Sequence, residues 1–144
     1  MTQNSNFSYE LATEKNPDAL WEIVRDPRKW WTGIFDETIE GKSEAVGDEF
    51  TFRAGGGVHY SKQRVNALME QQLIEWEVIE SVLTFLDDPA EWTGTKIRFE
   101  LFPSGDGTKI LFSHEGLTPD IECYDSCSNA WGQYMSKLKG IISD

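Results

Sequence analysis

TPDIECYDSCSNAWGQYMSKLKGII, Thr118 to Ile142, carries the strongest secondary-structure signal in the chain. Ile121, Tyr124, Ser128, Trp131, Met135, Leu138 and Ile142 recur in steps of three and four, which lines them along one face of a helix. Thr118-Pro119-Asp120 supplies the start, with Thr118 or Asp120 as cap. The spacing predicts an amphipathic helix of about six turns. A helix with one apolar stripe needs an apolar surface to cover it.

The sequence upstream supplies that surface. Phe7, Tyr9 and Leu11 alternate with Ser8, Glu10 and Ala12, a period of two that predicts a half-buried strand over Asn6 to Thr13. Asn16-Pro17-Asp18 opens a short helix, with Asn16 as N-cap and Pro17 at the first helical position. Asp26-Pro27 ends it, and Arg28-Lys29-Trp30-Trp31 predicts a second short helical turn that stops at Gly33. From Thr38 the pattern changes to strands. Val58 to Met69 and Leu73 to Leu83 form a hairpin across Glu70 to Gln72, and Thr95 to Phe102 and Thr108 to Leu117 form another. Ile97, Phe99 and Leu101 share a face, as do Ile110, Phe112 and His114. The expected fold is therefore α+β, one domain over 1–144: a curved antiparallel sheet of about six to seven strands wrapped round a long C-terminal helix.

Composition narrows the function classes. A chain of 144 residues is long enough to bury a core without staples, and its 12% aromatic content, with six Trp and eight Phe, is high. A formal net charge of -12 repels phosphate backbones and anionic lipid headgroups. Nucleic acid and membrane insertion are not expected. Met1 to Asn6 is polar and lacks the features of a secretory signal, so a cytoplasmic location is expected. Cys123 and Cys127 lie four apart in the helical segment, a poor backbone for a disulfide, and are expected as thiols.

Several segments together resemble a known family. Asn16-Pro17-Asp18-Ala19-Leu20-Trp21 leading to Trp30-Trp31, the strand Ile74-Glu75-Trp76-Glu77-Val78, Glu91-Trp92-Thr93-Gly94-Thr95, and Ser113-His114-Glu115-Gly116-Leu117 are similar to the START-like, or SRPBCC, superfamily. The nearest resemblance is to its bacterial branch related to the C-terminal domain of the activator of the heat-shock 90 ATPase. The resemblance implies the helix-grip fold of the birch pollen allergen group, with a hydrophobic cavity between sheet and terminal helix. The superfamily includes lipid-transfer domains, hormone receptors and polyketide cyclases, so fold alone does not select a function.

The candidate site residues follow from that cavity. Trp30, Trp31, Phe52, Trp76, Phe99, Phe112, His114, Tyr124, Cys127 and Trp131 are expected at or near it, either as a ligand-binding wall or as packing that fills it. His114 reads as an orienting or acid–base group, or as a hydrogen-bonded core histidine. His59, on the strand after the glycine tip, could join it across the sheet, but its alternation partners Ser61 and Gln63 are polar and it is expected to be exposed. Glu75, Glu77 and Glu80 read as a solvated face, and Arg98 and Glu100 as cross-strand ion-pair partners. Cys123, Cys127 and His114 give three zinc-type ligands at an unusual spacing, so no metal is expected, and no cofactor. The leading expectation is a binding protein for a small hydrophobic ligand, aromatic or lipid-like. A cyclase- or hydratase-type enzyme using His114 and Tyr124, and a chaperone-interacting module, are the alternatives; a homodimer is a further option.

Overall fold

The computed structural model describes residues 6–143. The polar stretch at Met1 to Asn6 lies outside these except for its last residue. The chain runs β1 (Phe7–Thr13), α1 (Pro17–Val24), a 3-10 turn (Pro27–Lys29), β2 (Thr38–Gly41), β3 (Glu49–Ala54), a second 3-10 turn (Gly55–Gly57), β4 (His59–Met69), β5 (Leu73–Leu83), β6 (Lys96–Ser104), β7 (Gly107–Glu115) and α2 (Tyr124–Ile142). The strands make one curved seven-stranded antiparallel sheet in the order β1-β7-β6-β5-β4-β3-β2. The first strand thus pairs with the last, and α2 fills the concave face. This is the expected helix-grip arrangement.

Local chemistry explains the element ends. The Asn16 side chain accepts from Ala19 N–H at 3.1 Å and Pro17 follows it, so α1 starts where its cap and its proline dictate. The hairpin between β6 and β7 is tighter than expected, because the strands run on through Pro103-Ser104 and leave only Gly105-Asp106 to turn. Gly116, at φ +101, follows β7 where an added Cβ would lie 2.6 Å from Thr95 Cγ2, so only glycine fits against that residue.

The start of α2 differs from its expectation. The helix begins at Tyr124 with Cys123 as N-cap, later than Thr118 or Asp120. No cap side chain serves it from its own segment. Instead Glu91, in the β5–β6 connection, accepts from the N–H groups of Glu122 and Cys123, each at 2.9 Å, and the Glu122 carboxylate accepts from Asp87 N–H at 2.9 Å. This two-way latch ties the residues just ahead of the helix to the β5–β6 connection. Removing it with Glu91→Ala is expected to lower stability by about 1–2 kcal/mol. Urea unfolding would measure the loss, and amide exchange at Glu122 and Cys123 should rise well above that of the rest of α2.

The expected thiols are a second correction. Cys123 and Cys127 form a disulfide with their Cα atoms 5.4 Å apart, inside the roughly 4.4–6.8 Å span such bonds need. Cys123 is the N-cap residue of α2, and its carbonyl accepts from Cys127 N–H at 2.7 Å.

The outer face of the sheet corrects a third. Glu80 is exposed and Glu77 half-buried, but Glu75 is only 5% exposed. It accepts from Arg98 Nη2 at 2.6 Å and from Asn66 at 2.6 Å. Arg98 lies directly across from it on β6 and also pairs with Glu100 at 3.8 Å. Burial raises the Glu75 carboxyl, yet the bonds from Arg98 and Asn66 outweigh it and hold the group below its ordinary value. Among the described residues no helix is long and apolar enough to cross a membrane.

Candidate ligand cavity

Aromatic side chains from every layer meet between sheet and helix. Trp30 and Trp31 leave the first 3-10 turn and stack on each other at 5.7 Å, and Trp76 from β5 stacks on Trp30 at 6.2 Å. Phe99 of β6 meets Trp30 edge-on at 5.1 Å, and Phe112 of β7 lies 4.7 Å from Trp131 of α2. Trp30, Trp76, Phe99 and Phe112 have no measurable exposure. They fill the inner part of the space that the fold encloses.

The outer part stays open. A cavity of about 180 Å³ remains there, walled by Trp31, Phe52, Trp92, Trp131 and Tyr134, floored by Ala54 and His59, and bordered by Cys127 and Ala130 of α2. Phe35, Val58 and Phe85, all substantially exposed, form its apolar rim. Of the ten residues read as site candidates, Trp31, Phe52, Cys127 and Trp131 line this space. Trp30, Trp76, Phe99, Phe112 and His114 are packed behind it, and Tyr124 is half-buried at the start of α2.

His114 is held at both ring nitrogens. Trp131 Nε1–H, which can only donate, lies 2.9 Å from His114 Nδ1, so Nδ1 is the acceptor and the proton sits on Nε2. Nε2–H then donates to Thr95 Oγ1 at 2.9 Å, and the Thr95 hydroxyl donates to the Trp92 carbonyl at 2.6 Å. Burial, with a smaller contribution from His59, pushes this imidazole down to about 3. The chain of bonds ties α2 to β7 and to the β5–β6 connection, and it leaves the ring no free nitrogen for a substrate.

His59 lies elsewhere than expected. Its face of β4 points inward, and the polar partners that argued for exposure, Ser61 and Gln63, are fully buried and bonded to each other at 2.5 Å. The imidazole packs edge-on to Phe52 at 5.2 Å and to Trp92 at 4.6 Å, and burial lowers it to about 4. Trp92 was hidden in a loop where no periodicity marks a side chain's direction. In space it stacks on Trp131 at 6.1 Å and meets His114 edge-on at 4.7 Å. Tyr134 donates from Oη to Glu37 at 2.5 Å, and the backbone N–H groups of Ile34 and Phe35 add to the same carboxylate. Burial raises the Glu37 carboxyl, but these bonds prevail and hold it below its ordinary value, while burial and the Glu37 bond push the Tyr134 hydroxyl upward.

The comparisons agree with this architecture. The Aha1 dimer from Colwellia psychrerythraea superposes with a TM-score of 0.74 at 21% identity, covering 96% of each chain. Protein CV1439 from Chromobacterium violaceum gives 0.74 at 17% identity, over 96% of this chain and 97% of its own. Protein MLL2253 from Mesorhizobium loti gives 0.73 at 20%, over 96% of both. Identities this low establish the fold alone. No curated protein shows significant similarity to the sequence. The family described as "Activator of Hsp90 ATPase homolog 1-like protein" matches residues 14–143, nearly the whole sequence, and the chain belongs to that family.

Proposed function

We propose that this protein binds a small hydrophobic molecule in the cavity between sheet and α2. The observation that carries the reading is the cavity itself: about 180 Å³, walled mainly by aromatic side chains and entered through an apolar rim. Apolar cavities of about 150 Å³ hold benzene, so the occupant is the size of one aromatic ring, not a long acyl chain. Burying such a ring contributes about 25 cal/mol per Å² of apolar surface removed from water. Binding is favoured over catalysis because both nitrogens of His114 are taken up inside the protein, and Tyr134 is committed to Glu37.

Toluene and indole are expected to raise the melting temperature and to perturb tryptophan fluorescence, since Trp31, Trp92 and Trp131 all line the space. Ala130→Phe, on the half-buried face of α2 beside the cavity, is expected to fill it and reduce toluene affinity at least tenfold while the protein still melts cooperatively. If neither compound binds the unaltered protein, the reading fails. It fails also if Ala130→Phe binds toluene as well as the parent does.

A further inference from the structure

Seven large hydrophobic side chains are exposed among the described residues, and three of them, Phe35, Val58 and Phe85, meet at the mouth of the cavity. They are 39%, 46% and 49% exposed. Each comes from a different segment: Phe35 precedes β2, Val58 leads into β4, and Phe85 follows β5. Apolar side chains scattered singly over a surface are ordinary, whereas three gathered on one rim mark an interaction surface. Half-buried Ala130 and exposed Ser126 of α2 complete the patch.

The charge around it is of one sign. The segments that form its edge, 34–41, 54–59, 84–95 and 118–136, contain nine Asp and Glu and no Lys or Arg, although the chain has 13 Lys and Arg. Asp36 directly follows Phe35, Asp87 and Asp88 follow Phe85 within three residues, and Asp125 directly precedes Ser126; all four are exposed. The Glu122 carboxylate accepts from Asp87 N–H at 2.9 Å and so joins the second group to the third. The cations that flank these segments are engaged elsewhere. Arg53 alternates outward between buried Phe52 and Ala54, with Glu40 3.6 Å away and the Tyr60 ring beneath it, and the Lys137 ammonium donates to the Thr32 carbonyl.

Such a rim repels a second copy of this chain, itself at -12, and an anionic lipid surface alike. It complements an apolar side chain flanked by positive ones. We infer that the patch docks a short basic segment of another protein, which seats a large apolar side chain between Phe35, Val58 and Phe85 and lays its Lys or Arg residues against Asp36, Asp87, Asp88 and Asp125. The apolar contact holds the segment, while the carboxylates speed its arrival and exclude acidic competitors. Three side chains make a small surface, which suits a peptide-length motif and not a domain-sized interface. Docking there covers the cavity mouth and requires no molecule inside it.

Calorimetric titration at pH 7 with three end-blocked peptides, KKFKKFKK, KKSKKSKK and EEFEEFEE, tests this. KKFKKFKK is expected to bind at least tenfold more tightly than either of the others, and to lose at least fivefold in affinity when salt rises from about 50 to about 500 mM. Phe35→Ser and Phe85→Ser, at exposed positions, are each expected to weaken KKFKKFKK at least fivefold while the protein still melts cooperatively. Phe102→Ser, at an equally exposed ring beside Met69 and Pro17, is expected to change nothing. Asp36→Asn, Asp87→Asn and Asp125→Asn combined are expected to remove most of the salt dependence. Equal binding of KKSKKSKK would reduce the effect to attraction by the net charge and overturn the proposal, and equal binding of EEFEEFEE would overturn the basic partner. No binding of KKFKKFKK would overturn it too, as would full binding in both patch variants, an equal loss in Phe102→Ser, or an unchanged salt dependence in the triple variant. Toluene titrated in parallel reports on the cavity separately, so failure of the docking surface and failure of the binding role are distinguishable.

Discussion

Trp76→Ala is expected to cost about 3–5 kcal/mol, a large share of the roughly 5–15 kcal/mol that holds a domain of this kind together. The indole is wholly buried in the filled part of the grip. It stacks on Trp30 at 6.2 Å and meets Phe50 and Phe99 edge-on at 5.4 and 6.2 Å. Its Nε1–H donates to Ser43 Oγ at 2.8 Å, so truncation leaves a buried hydroxyl without that partner as well as a void. Neighbouring rings from β3, β6 and the end of the first 3-10 turn fix one another, which limits how far they can collapse into the gap. Trp76→Phe keeps most of the ring contacts and should lose much less. Urea unfolding of the two variants checks the ranking; a loss under 1 kcal/mol for the alanine variant would show that the core closes over the space.

Acidification is the second large effect. His114 has a native value of about 3 against 6.5 for the free group, with burial as the main cause. Between those two values the unfolded chain binds a proton that the native ring refuses, because a proton on Nδ1 would face the donating Trp131 Nε1–H. Stability from this group is therefore complete above pH 6.5 and falls as pH drops, by about 1.4 kcal/mol per unit. From pH 7.5 to 4.5 the loss is roughly 3 kcal/mol. His59 is lowered in the same sense and steepens the decline. Glu37 and Glu75 are also lowered, but carboxylate stabilisation is lost only below about pH 4.5, so the window above it belongs to the histidines. Equilibrium unfolding from pH 7.5 to 4.5 should show the slope, and His114→Asn should flatten it. An unchanged slope in that variant would assign the acid sensitivity elsewhere.

Much of the fold could be read in the sequence because its patterns are local. The three-and-four stripe from Ile121 to Ile142, the alternation of Phe7, Tyr9 and Leu11, and the caps at Asn16 and Pro17 each depend on neighbours a few residues away. What escaped depends on distant partners. The segment leading into α2 is held by Glu91, 31 residues before the first amide it bonds. The inward seat of His59 is not legible because the polar residues on its face, Ser61 and Gln63, bury themselves by pairing with each other. The candidate aromatics were identified as a group, but nothing local divides those that fill the grip, such as Trp76 and Phe99, from those that border its open end, such as Trp31 and Trp131. That division follows from how α2 and the β5–β6 connection meet.

The pairing of β1 with β7 has a consequence in time. The first strand of the sheet hydrogen-bonds to the last, and Thr13 Oγ1 donates to the Ile142 carbonyl 129 residues along the chain. During synthesis β1 leaves the ribosome long before either partner exists, and α2 leaves after every strand. The strands from β2 to β7 each pair with a neighbour in sequence, whereas the grip can close only once β7 and α2 have both been made. Contacts that span most of the chain slow folding, which places closure of β1 and α2 at the end of the sequence of events. Until then the aromatic face of the nascent sheet has no cover, and that interval is when this chain is most exposed to aggregation.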